Sequence, residues 1–211
     1  MSGIHPSPSV NVTLGVMNAG WGVCGFTSTF HAMHLANPGT RAWLTNATQA
    51  YSVLYEIRDY LMSVKGTPLE ADITKFTQSF GSPHDKFNFD WYINKIDTAS
   101  ATLKESPEIM KDDEFGIAMP PHAVKDYVER AWKWKATVTE FTTPGDATRS
   151  IVGVTPDFSN GKPYHGLCHY LFRGDNKFYS WGKVFGSLTD AMGSVGLPNA
   201  KICYAIKVSR P

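Results

Sequence analysis

The chain has 211 residues, of which 42% are apolar and 13% aromatic, enough to bury a sizeable core and too apolar for general disorder. Twenty Lys and Arg stand against 19 Asp and Glu, so no charge excess points to nucleic acid or to an anionic membrane surface. No apolar run reaches the ~18 residues of a membrane-spanning helix, and the first residues, Met1 to Ser9, lack the basic and apolar regions of a secretory signal. The expectation is a cytoplasmic protein, or one exported without a classical signal peptide.

Residues 1–12, with two prolines and several small polar residues, read as a flexible arm ahead of a single domain over 13–211. From Gly25 onward Phe26, Phe30, Met33 and Leu35 recur at near-helical spacing, and Asn37-Pro38-Gly39 stops the helix. Cys24 therefore stands at the start of a mostly apolar, buried helix. A second helix is expected over Asn46 to Lys65, with Tyr51, Leu54, Tyr55, Arg58, Leu61 and Met62 as its stripe and Gly66 as its cap. A third is expected over Pro68 to Phe80 and a fourth over Pro83 to Thr98. A fifth spans His122 to Lys135, with Pro121 near its first turn.

After Ala136 the period changes. Thr137 to Thr142 and Ser150 to Thr155 alternate as strands. Tyr164 to Phe172 and Lys177 to Lys183 flank Arg173-Gly174-Asp175-Asn176, a hairpin turn, and Lys201 to Val208 closes the chain as a strand. Helices first and antiparallel strands afterwards make an α+β fold.

Three cysteines, Cys24, Cys168 and Cys203, are too few and too irregularly spaced for a disulfide framework or a structural zinc site. A thiol at a helix start is a candidate nucleophile, because the N-terminal partial positive charge favours the thiolate. Gly22 and Gly25 let backbone approach it, and Asn18 is placed to donate to an oxyanion. The opposing reading is a buried structural thiol. A nucleophilic Cys needs a base. His165 and His169, four residues apart and on one face of the expected strand, are the candidates. Hairpin pairing about residues 174/175 places Ser180 opposite His169 and Val184 opposite His165. His31 and His34 lack a third ligand at metal spacing, so they read as packed side chains and no metal is expected. Arg173-Gly174-Asp175 reads as a turn, Trp132 to Lys135 as a helix end meeting the sheet, and Asp112 to Glu114 as a solvated run.

These residues resemble the papain-like cysteine-nucleophile superfamily, which includes papain-type proteases, NlpC-type amidases and bacterial effector proteases and glutamine deamidases. The Gly22-Val23-Cys24-Gly25 turn matches its nucleophile, Asn18 the oxyanion donor six residues upstream, and His165 to His169 the base strand. Tyr179-Ser180-Trp181-Gly182 is similar to the Asn-Ser-Trp-Gly stretch of papain-type enzymes. The resemblance covers roughly residues 18–35 and 160–185. It departs from the family where Tyr179 stands in place of the orienting Asn, and residues 40–135 form a helical insert without counterpart. It implies a papain-like fold and a cysteine hydrolase of peptide or glutamine-carboxamide carbonyls. That hydrolase works through a thioacyl-enzyme, needs no cofactor, takes a protein or peptide as partner, and is of effector or toxin type. The missing Asn or Asp supports an alternative, an inactive scaffold acting as a protein-binding module.

Overall fold

A computed structural model describes residues 22–36, 50–105, 112–158 and 161–211. The expected arm, the helix stop at 37–39 and Asn18 lie outside them. Six helices are described among these residues: α1 Cys24–Ala36, α2 Ala50–Val64, α3 Pro68–Gln78, α4 Phe89–Glu105, α5 Pro121–Trp132 and α6 Leu188–Gly193. Six strands follow or interleave: β1 Lys135–Gly145, β2 Ser150–Thr155, β3 His169–Arg173, β4 Phe178–Ser180, β5 Lys183–Phe185 and β6 Lys201–Ser209. They form one antiparallel sheet in the order β1-β6-β2-β3-β4-β5. The architecture is α+β, as the change of period implies. No helix among the described residues is long and apolar enough to cross a membrane.

α1 is the inner helix. Every residue from Gly25 to His34 is buried, so its polar side chains must be satisfied locally. Thr29 Oγ1 donates to the Gly25 carbonyl at 2.9 Å, Thr27 Oγ1 lies 3.4 Å from that of Val23, and His31 Nδ1 stands 3.1 Å from Thr27 O. The helix packs against β3 and, less extensively, β2, β4, β6 and α5. Phe26, Tyr60 and Tyr127 meet edge to face above it, with centroids 4.8–5.9 Å apart.

The other helices depart from the sequence expectation in places. In α2 the buried stripe is Val53, Leu54, Ile57, Tyr60, Leu61 and Val64, while Met62 is exposed and Arg58 bonds Asp97 at 2.6 Å. α4 begins at Phe89, not Pro83, because the Asn88 side chain accepts the Trp91 N–H at 2.9 Å and caps it there. The preceding His84–Lys86 is a separate 3-10 turn, and α4 runs on to Glu105. α6 was not expected; the Ser187 hydroxyl caps it by accepting the Asp190 N–H.

β2 is buried along its whole length instead of alternating. One core lies between the helices and the sheet. A second, behind the sheet, joins Val152, Val154 and Leu171 to Ala191 and Met192 of α6. The expected strand from Tyr164 to Phe172 is shorter: Pro163–Gly166 is a 3-10 turn and only His169–Arg173 is strand. The expected strand Lys177 to Lys183 divides into β4 and β5 at Trp181 and Gly182, both left-handed. One row, Glu140–Tyr204–Gly153–Tyr170, crosses four neighbouring strands. Beside it Cys203 is the extra residue of a β6 bulge, since Gly153 pairs with Tyr204 and Val154 with Ile202.

Burial lowers His31 to about 4 from an ordinary 6.5, with His34 adding a smaller push in the same direction. The unfolded chain therefore takes up a proton before the folded one does, and stability falls as pH drops from about 6.5 towards 4. The slope from this one group is at most about 1.4 kcal/mol per pH unit. Urea unfolding across this window will show the loss, and His31→Gln will flatten the slope relative to the parent protein.

Candidate functional site

Cys24 opens α1, where Val23 O accepts the N–H of both Phe26 and Thr27 at 3.1 Å. The backbone before it is constrained. Gly22 is left-handed, and a Cβ there would stand 3.1 Å from Gly116 Cα. The Cys24 side chain is partly buried. Burial pushes its thiol up to about 11, while backbone N–H groups of Tyr170, Gly25 and Cys24 pull the other way. The expectation of a thiol acidified by the helix start is therefore corrected. The helix donors are present, but desolvation outweighs them.

The Tyr170 N–H ties the thiol to β3, one residue after His169. β4 pairs with β3 only at Phe172 and Arg173, so the stretch around Tyr170 lies beyond the β3–β4 ladder. His169 Nε2 and Ser180 Oγ are 2.9 Å apart. The indole of Trp181 stacks on the imidazole, with centroids 4.3 Å apart and planes 6° from parallel. Burial lowers His169 to about 3. At neutral pH both the thiol and the imidazole are uncharged. When Nε2–H donates to Ser180, Nδ1 carries the free lone pair, which is the form a base requires.

The hairpin register differs from the expected one by two residues: Phe172 pairs with Tyr179 and Arg173 with Phe178. The connection is four residues long, closed by Gly174 N–H on Lys177 O at 2.9 Å. Arg149 holds Asp175 at 2.6 Å within it. His169 meets Ser180 diagonally, from the short ladder's open end.

His165 is not on the strand with His169. It lies in the turn Tyr164-His165-Gly166, three successive left-handed residues with φ of 48°, 56° and 74°. Its Nε2–H donates to Glu140 Oε1 at 2.6 Å, and its ring stacks on Phe158 at 5.1 Å. These three successive left-handed residues break the period-two placement on which the shared-face expectation rested. Glu140 had not been singled out. It is a lone acid in a Thr-rich strand, and only the cross-strand row brings it to His165.

Cys168 and Cys203 hang on consecutive carbonyls of β2, those of Val154 and Gly153, each at 3.4 Å. Burial raises both thiols, Cys168 to about 11 and Cys203 to about 12. A groove of about 390 Å³ opens elsewhere, along α4 and the Asp113–Phe115 turn, and contains none of these residues. Its Lys95 is held by Asp112 at 3.0 Å and Glu114 at 2.6 Å. Among the described residues no group of His, Cys, Asp and Glu is arranged to hold a metal ion. No family model matches the chain, and it has no match among curated proteins or solved structures.

Trp181 is the main cover over His169. Trp181→Ala will move the His169 pKa from about 3 towards the ordinary 6.5, read by NMR titration of the ring protons. An unmoved titration would place the desolvation in the rest of the core instead.

Proposed function

We propose that the protein is a cysteine-dependent hydrolase of papain-like arrangement, acting on a peptide or glutamine-carboxamide carbonyl of a protein substrate. The supporting observation is that Cys24, at the first residue of α1, meets the β3 backbone at the Tyr170 N–H, the residue next to His169, while the His169 ring stands with Leu171 and Trp181 on the other face of the sheet. Nucleophile and base candidates thus come from the two elements that pack most closely across the helix–sheet boundary.

The resting pair is neutral, so attack and proton transfer are coupled. The two side chains rest on opposite faces of β3, so substrate binding has to bring the His169 ring round to Cys24. Cys24 Sγ then forms a bond to the carbonyl carbon as its proton passes to His169 Nδ1, and the carbonyl electron pair moves to oxygen. The Cys24 and Gly25 N–H groups at the helix start face the forming charge. Ser180 holds the imidazole by Nε2 and favours the Nδ1 lone pair, but adds no charge to stabilise the imidazolium. His169 then returns its proton to the leaving amine or ammonia, and water, deprotonated by the same nitrogen, releases the acid. His165, committed to Glu140, takes no part as base. Asn18 keeps its proposed oxyanion role from the sequence pattern alone. Exported effector or toxin action fits the same chemistry.

The test is a mixture of host-cell peptides incubated with the protein, with cleavage and amide-to-acid conversion read by mass spectrometry. Cys24→Ala and His169→Ala will each abolish the product, by a factor of about a thousand or more. His165→Ala will retain a measurable rate. Product formation unaffected by Cys24→Ala would remove the hydrolase reading. A parent protein that binds peptides without converting them would favour the binding-module alternative, which the upward-shifted thiol supports.

A further inference from the structure

The turn before β3 is the most strained described segment of the chain. Tyr164 and His165 both carry side chains in the left-handed region, which L residues with a Cβ disfavour. Gly166 follows in the same region, where a Cβ would stand 3.0 Å from Thr155 Oγ1 and 3.1 Å from Asp157 O. Strain of this kind persists only where the surroundings hold it.

Here the surroundings grip from both sides. Tyr164 meets Phe76 of α3 edge to face at 4.8 Å. The His165 side chain, 14% exposed, lies flat on Phe158 and against Tyr204, and reaches Glu140 of β1 with Nε2. Its Nδ1 is buried with no partner among the described residues, so the Glu140 bond is the ring's one polar anchor. Glu140, Tyr204, Gly153 and Tyr170 are the consecutive members of one cross-strand row. The row starts at the carboxylate that holds His165 and ends at the residue whose N–H meets the Cys24 thiol. The chain makes the same connection by a shorter path. Leu167 N–H closes the turn on Tyr164 O at 3.1 Å, Cys168 N–H bonds Val154 O at 2.9 Å, and His169 follows.

We propose that Glu140 and His165 form a clasp that holds this left-handed turn and thereby sets the start of β3, with the Tyr170 N–H, against Cys24. Both are positioning residues, which act through the backbone of residues 166–170 and touch no substrate. The inference rests on the hydrolase reading for its purpose, but the clasp itself is read from geometry and is tested without substrate.

Glu140→Ala removes a half-exposed carboxylate and leaves the fold intact; His165→Ala and the conservative Glu140→Gln accompany it. The readouts are the NMR signals of the His169 ring and the rate of Cys24 alkylation by iodoacetamide against pH, with Cys203 as internal control. Glu140→Ala and His165→Ala will shift or broaden the His169 signals and slow Cys24 alkylation about tenfold, as the thiol loses the Tyr170 donor. Glu140→Gln, which keeps an acceptor oxygen, will restore most of both. A folded Glu140→Ala protein with unchanged His169 signals and an unchanged Cys24 profile would overturn the clasp. Uniform slowing of Cys24 and Cys203 together would overturn it as well, since that is general loosening. Moved His169 signals in a protein whose parent converts no peptide would uphold the clasp and defeat the hydrolase reading alone.

Discussion

The structure depends on the burial of α1 from Gly25 to His34. A helix covered on all sides cannot shed polar groups to water, so each must be met within the helix or by the sheet. Threonine hydroxyls turned back on the helix carbonyls do most of this. His31 does so with a ring nitrogen and accepts a lowered pKa as the cost. The same burial that fixes the direction of α1 desolvates Cys24 at its start and opposes the helix N-terminus. Placement and reactivity of the thiol thus pull against each other. The helix donors and the Tyr170 N–H offset only part of the desolvation.

Around the thiol, much of the geometry is backbone geometry. A Cβ at Gly22 would crowd Gly116 Cα at 3.1 Å, and Ile117 N–H reaches Gly22 O at 3.4 Å. Tyr170 contributes its amide to Cys24, while its ring and hydroxyl serve the core and Met119 O. Ser180 ends β4, and Trp181 is the first residue of the bend that separates it from β5. That break lets one residue bond His169 and the next cover it.

The order of elements was legible in the sequence because its signals are local. The helical period from Phe26 to Leu35, the prolines opening α3 and α5, and the change of pattern after Ala136 each reflect short-range preferences. Cys24 at a helix start followed from the glycines around it. What was not legible depends on contacts distant in sequence. Tyr164 to His169 reads as a continuous strand, and only the grip of Phe76, Phe158 and Glu140 makes its first half a left-handed turn. The β3–β4 register moved by two residues because the connection takes up four residues, closed by Gly174 N–H on Lys177 O. β2 lost its alternation because α6, six residues long and capped by Ser187, covers the far face. The sign of the Cys24 shift needed the depth of burial, which no local pattern carries.

Three tyrosines from three elements end on one short stretch of main chain. Tyr92 of α4 donates to Phe115 O, Tyr170 of β3 to Met119 O and Tyr60 of α2 to Ala123 O. The carbonyls are four residues apart and belong to the segment that enters α5. Each hydroxyl is buried, so freeing any one of them strands a polar group in the core. Helices and sheet are thereby riveted to a common spine, and neither half can melt while the other stays native. Amide protons in α2, α4 and β3 belong to one cooperative unit, so exchange there proceeds through global opening and not by piecemeal fraying.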